Sequence, residues 1–132
     1  MTEMPIVDSS AFVRYLSRER GWERGETYLD RPLTVALALK EVSNALRTKT
    51  LNGEMTRQAA IQIISKLSSM VKLIDQGDLL VDSYEIAVDH RITVYDALFI
   101  AAALRSGEDL VTCDVRQATV ARAMGVKVIV WS

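Results

Sequence analysis

Cysteine and histidine are almost missing: Cys113 and His90 are the only ones in 132 residues. A single cysteine excludes an intrachain disulfide and a cysteine-rich zinc site, and a single histidine excludes two-histidine metal motifs. No signal peptide is read at the N-terminus, so a reducing cytoplasm is the expected setting. Proline is scarce at two and glycine at six, and no linker-like, repetitive or low-complexity stretch divides the chain. One domain over residues 1–132 is therefore expected. Long apolar runs are missing as well. The longest, residues 97–104, is far shorter than the ~20 residues needed to cross a bilayer, which argues against a membrane protein. Nor does charge of one sign prevail: sixteen Lys+Arg against seventeen Asp+Glu leave a net charge of −1. That excludes binding nucleic acid through bulk basicity, though not through a local patch. Neither a GxxxxGK[ST] loop nor GxGxxG occurs, so phosphate cradles of those kinds are unsupported.

What is present is 49% hydrophobic and 25% charged, close to the globular average, and enough to build a core. Short apolar runs of β type fall at 4–7, 33–36, 71–74, 110–112 and 126–130. Between them lie helical patterns. Phe12, Tyr15 and Leu16 sit at helical spacing, with Gly21 as the expected stop. A short helix is expected over 22–29, ended before Pro32. Longer ones are expected over 38–48, from Thr56 through Leu67, and over 79–90, 93–105 and 115–124. The segment 93–105 is apolar nearly all round, which predicts burial on most sides. Alternating strands and helices imply a mostly parallel sheet covered on both faces: an α/β fold. In such folds ligands sit beyond the carboxyl ends of the strands.

Four acids fall where that rule points. Asp8 follows the first strand, and Asp114 stands two residues past the strand 110–112. Asp96 lies in the first turn of the buried helix, and Glu41 borders the apolar stripe of the helix over 38–48. Each has a plain structural explanation. Asp8 and Asp114 suit helix N-caps, Thr93-x-x-Asp96 resembles a capping box, and Glu41 suits a solvated helix face. Taken together they can converge on one cleft. Two unit charges ~4 Å apart repel by ~4 kcal/mol at an effective dielectric of ~20, so a cluster needs compensation. A hard divalent cation supplies it, and an oxygen-only donor set suits Mg²⁺ or Mn²⁺. A second acidic series, Asp78, Asp82, Glu85 and Asp89, reads as a solvated helix face.

Four segments together resemble the PIN-domain family, and within it the VapC-type toxin ribonucleases of toxin–antitoxin pairs. They are Ile6-Val7-Asp8-Ser9-Ser10-Ala11-Phe12, Leu39-Lys40-Glu41-Val42-Ser43-Asn44-Ala45-Leu46, the run from Thr93-Val94-Tyr95-Asp96 to Ala103, and Leu110-Val111-Thr112-Cys113-Asp114. The chain departs from the pattern after the fourth acid. Val115, Arg116 and Gln117 stand where many relatives carry a further acid or polar residue. The resemblance implies a PIN-like three-layer α/β/α fold with a short five-stranded parallel sheet in order 3-2-1-4-5. It also implies metal-dependent hydrolysis of RNA phosphodiester bonds, with Asp8, Asp96 and Asp114 on the metal. Glu41 would hold a second metal or orient water, and Ser9 and Thr112 would hydrogen-bond the carboxylates. A cognate VapB-like antitoxin and homodimer formation are implied as well.

Residues 40–72 carry a net charge of +4 and residues 75–96 a net of −5, so the first of these offers a phosphate-contacting patch. Arg14, Arg18, Arg20 and Arg24 surround Trp22, a mixture suited to single-stranded RNA or to an antitoxin peptide; Arg14, Arg18 and Trp22 are the candidates. Two rival readings are a catalytically silent PIN domain that only binds, and a receiver-type phosphoacceptor. The silent reading is weakened by the presence of all four acids. The receiver reading needs paired acids near the first strand, which are absent. Cys113 beside Asp114 is expected to have a raised thiol pKa, which disfavours a nucleophilic role.

Overall fold

The computed structural model describes residues 4–132. Five short strands form one all-parallel sheet: β1 (Ile6–Val7), β2 (Leu33–Val35), β3 (Lys72–Ile74), β4 (Leu110–Thr112) and β5 (Val128–Val130). Their order is β3-β2-β1-β4-β5, the 3-2-1-4-5 arrangement expected of a PIN-like fold. The helices are α1 (Ser9–Leu16), α2 (Gly25–Tyr28), α3 (Ala36–Leu51), α4 (Arg57–Met70), α5 (Leu80–His90), α6 (Val94–Ser106) and α7 (Val115–Ala123). They cover both sides of the sheet.

The core follows from the apolar runs. Ile6, Val7, Leu33, Val35, Leu110 and Val111 on the three inner strands are buried. Helix α6 packs on those strands with every residue from Ala97 to Ala103 buried. Four alanines in that run let its backbone approach the sheet, and Phe99 and Ile100 fill the remaining space. Burying each such large side chain contributes about 1.5–3 kcal/mol. Thr93 caps α6 by accepting the Asp96 amide at 3.1 Å, and Gly107 at φ 70° ends it. The expectation of uniformly buried strands holds for the centre only. On the edge strand β3, Lys72 and Leu73 are exposed, because half of an edge strand's surroundings is solvent.

Two local expectations differ from the structure. Helix α1 stops at Leu16, well before Gly21. Arg18 takes φ 53°, a conformation that favours glycine, with its guanidinium 5.0 Å from the centre of the Trp22 ring. Gly21, at φ 81°, instead opens the following helical turn, and its carbonyl accepts the Trp131 indole N–H at 3.1 Å. Helix α3 begins at Ala36 and runs to Leu51, longer at both ends than its apolar stripe implied.

The β1–β4 register positions the site. Ile6 pairs with Leu110 and Val7 with Val111, so the residue that follows β1, Asp8, comes beside Thr112. The Asp8 amide donates to the Val111 carbonyl at 3.1 Å, fixing the two strand ends together.

Candidate active site

Asp8 leaves β1 buried and caps α1, its Oδ1 accepting the Ala11 amide at 3.1 Å and the Ser10 hydroxyl at 2.7 Å. Its other oxygen, Oδ2, accepts the Thr112 hydroxyl. All three donors are neutral. Burial pushes the Asp8 carboxyl up to about 6; the Thr112, Ser10 and Ala11 donors oppose the rise, and the Asp114 charge adds to it. Asp114 caps α7 through Oδ1, which accepts the Arg116 and Gln117 amides at 2.9 and 3.2 Å. Its own amide donates to the Thr112 Oγ at 3.0 Å, so one threonine hydroxyl touches both acids.

Asp96 is half-buried in the first turn of α6. Partial burial and the Asp114 charge raise its pKa, while the Thr93 hydroxyl and the Arg116 charge oppose them. Asp114 therefore acts electrostatically on both Asp8 and Asp96. Gln117, which the motif reading treated only as a departure, ties this side of the site together. It is buried, its Nε2 donates to the Asp96 carbonyl at 2.9 Å, and its backbone amide holds Asp114. Its position three residues past an N-cap aspartate was the only sequence signal for that role.

Glu41 stands one step away. It accepts the Ser9 hydroxyl at 2.5 Å, and both line an open cleft of about 360 Å³ with Ser10, Arg14, Ala45 and Cys113. The plain capping roles of Asp8 and Asp114 hold, while at α6 only half of the expected capping box is present: Thr93 caps the helix and accepts the Asp96 amide. Among the described residues, however, no three acidic, histidine or cysteine side chains are gathered closely enough to enclose a metal ion by themselves. The acids line an open edge.

The three residues grouped as RNA or antitoxin contacts divide between two concavities. Arg14 lies in the cleft with Ser9 and Glu41. Arg18 and Trp22 line a separate groove of about 560 Å³, whose opposite wall carries Met55, Ile63 and Lys66. Lys49 of the basic segment is engaged by Glu19 at 2.8 Å. Asp78, Asp82, Glu85 and Asp89 are all exposed, as a solvated face should be. The thiol of Cys113 is raised to about 11, mainly by burial; the acids that add to the rise are Asp8 and Glu19 rather than its neighbour Asp114. Sequence patterning also missed four large apolar side chains on the outer side of α5: Leu80, Val81, Tyr84 and Val88 are all more than half exposed.

A PIN-domain family model matches residues 6–123, a span that contains all four acids. Ribonuclease VapC3 of Pyrobaculum aerophilum is 30% identical over 115 residues, which is 83% of this chain and 88% of that protein. The crystal structure of PAE2754 from Pyrobaculum aerophilum superposes with a TM-score of 0.76 at 24% identity, covering 96% of this chain and 83% of that one. The crystal structure of VapBC2 from Rickettsia felis, bound to a DNA fragment from their promoter, gives 0.71 at 12% identity, with 98% and 99% covered. At those identities the two structures speak for the fold alone. The family match and the VapC3 relative together make this chain a member of the PIN-domain family.

Proposed function

We propose that this chain is a divalent-metal-dependent endoribonuclease, the toxin of a VapBC-type toxin–antitoxin pair. The observation that carries the reading is the placement of Asp8, Asp96 and Asp114. All three stand at the carboxyl edge of one parallel sheet, with Asp114 raising the pKa of the other two. A buried carboxylate held only by neutral donors is costly, and a cation offsets that cost. The donors are all oxygens, the chemistry that Mg²⁺ or Mn²⁺ prefers. An open edge suits Mg²⁺ in particular, which keeps several waters and takes few protein ligands. Asp8, Asp96 and Asp114 would hold the ion. Bound there, it would acidify a water and polarise a phosphodiester.

The rest of the machinery belongs to the chain itself. Thr112 and Ser10 keep the Asp8 carboxylate oriented, and Gln117 sets Asp96 against Asp114. Glu41, fixed by Ser9, would orient an attacking water in the cleft. Ribonuclease VapC3 is named for its activity, which supports RNA as the substrate class. The groove with Trp22, Tyr15 and Ile63 combines apolar walls with Arg18 and Lys66, which suits an antitoxin segment with apolar and acidic residues. The exposed apolar side of α5 suits burial in a homodimer. No helix among the described residues is long and apolar enough to cross a membrane; action in the cytoplasm is part of the proposal.

The lack of a closed metal cage is the one observation favouring the silent binding module. The presence of all four motif acids weighs against it. Purified chain incubated with single-stranded RNA decides the matter. Cleavage that needs Mg²⁺ or Mn²⁺, stops with EDTA and is lost in Asp96→Asn supports the enzyme. Cleavage that ignores both the chelator and the substitution rejects it.

A further inference from the structure

Arg14 is a half-buried cation that the acidic centre does not use. Its Nη1 donates to the carbonyl of Trp131 at 2.9 Å, and its guanidinium carbon lies 5.5 Å from the centre of the Trp131 ring. Its Nε is buried without a hydrogen-bond partner. Among the described residues it forms no ion pair, and nearby Glu19 is taken by Lys49. A guanidinium so placed keeps a charge without an ion-pair partner in a cleft shared with Ser9, Glu41 and the Lys49-bound Glu19. A buried or half-buried charge without an opposite partner is unfavourable until an anion arrives. The fork of N–H groups on arginine matches the oxygens of a phosphate.

Trp131 is held on every side. It is fully buried, its indole N–H donates to the Gly21 carbonyl at 3.1 Å, and Tyr28 packs edge-on at 5.6 Å. Its backbone amide donates to the Thr112 carbonyl at 2.8 Å, at the end of the strand that carries the site. The penultimate residue of the chain thus forms a rigid platform under Arg14.

We infer that Arg14 is the substrate-phosphate ligand of the cleft, gripping a backbone phosphate of RNA next to the scissile bond, and that Trp131 is a positioning residue that aims it. This rests on the ribonuclease reading. RNA is favoured over an antitoxin peptide as the occupant because Arg14 opens into the cleft of Ser9 and Glu41, while the apolar groove of Arg18 and Trp22 is separate.

The test is binding of a fluorescent single-stranded oligoribonucleotide, followed by anisotropy over a salt series, in the full chain carrying Asp96→Asn so that the RNA stays intact. Arg14→Met is expected to weaken binding about tenfold and to flatten the slope of log K against log salt by about 0.7, the value for one phosphate contact on a single strand. Arg14→Lys keeps the slope, because a point charge still displaces counterions. Trp131→Phe keeps a ring but loses the bond to Gly21, and falls between the parent and Arg14→Met in affinity. Circular dichroism of each variant confirms its fold; a misfolded Arg14→Met leaves Arg14→Gln to be read the same way. An unchanged slope and affinity in a folded Arg14→Met overturns the role of Arg14. So does unchanged RNA binding with lost affinity for an antitoxin peptide, which would move Arg14 to the partner interface. If the wild-type chain cuts RNA in these cases, the ribonuclease reading stands and only this inference falls. If the wild-type chain neither cuts nor binds RNA, both fall.

Discussion

Thr112 donates its hydroxyl to Asp8 across the β1–β4 pair, and the same oxygen accepts the Asp114 amide at 3.0 Å. One β-branched residue at a strand end thereby sets two acids of the site. In Thr112→Val the shape is nearly kept and the donor is lost. The Asp8 carboxyl, already near 6, is expected to rise further, because Thr112 is the strongest of the groups holding it down. Metal binding requires the carboxylate, so the acid limb of the pH–rate profile moves to higher pH. Cation affinity falls by about ten- to a hundredfold, the usual cost of losing a residue that orients a metal ligand. A profile that stays in place counts against the role given to Thr112.

Asp8 also makes stability depend on pH. Its carboxyl titrates near 6 in the folded chain against 3.8 in the reference state, so the folded state binds the proton more tightly. Stability is therefore greatest when Asp8 is protonated, below the lower value, and is lost as pH rises through the higher one. Near neutrality the cost is on the order of 3 kcal/mol. Asp8→Asn should stabilise the metal-free chain by up to that order at pH 7 and should give little at about pH 4. Urea unfolding at the two pH values measures it. Equal effects of the substitution at both would contradict the burial of an unpaired charge.

Ser9 and Glu41 are expected to act as a unit. Their hydrogen bond, at 2.5 Å, joins the start of α1 to the middle of α3. A double-mutant cycle of Ser9→Ala and Glu41→Gln on catalytic rate should show coupling of about 1–2 kcal/mol, as for a partly buried hydrogen bond to a charged group. Additive effects would show that the serine does not position the glutamate.

Gly25 marks a close approach of α2 to α1. A Cβ there would lie 2.2 Å from a ring carbon of Tyr15. Gly25→Ala must push the tyrosine aside, at a cost of about 1–3 kcal/mol in overpacking. Tyr15 also lines the groove with Trp22, so under the proposed function the same change should weaken antitoxin binding while leaving RNA cleavage by the free chain intact. Thermal melts and a binding titration read the two effects separately.

Much of the scaffold was legible before the structure. β4 is a short run of Leu110, Val111 and the β-branched Thr112 between Asp109 and Asp114, and α6 is too apolar to face water, so both could be placed from pattern alone. The strand-end positions of Asp8 and Asp114 followed from those assignments. The end of α1 was not legible, because it rests on Arg18 holding a left-handed conformation beside Trp22 instead of on a glycine. Nor was the separation of Arg14 from Arg18. They lie four residues apart, yet Arg14 is claimed by Trp131, 117 residues away. Contacts of that span leave no periodic trace in a chain. Gln117 was hidden for a similar reason: its amide reaches back to the Asp96 carbonyl, whereas only its distance from Asp114 is local.

Direct binding of Mn²⁺, followed by electron paramagnetic resonance, probes the shared-cation claim without relying on turnover. The wild-type chain should bind the ion, and Asp8→Asn, Asp96→Asn and Asp114→Asn should each weaken it by about tenfold or more in folded protein. Undiminished binding in the three variants would contradict a cation held jointly by these aspartates.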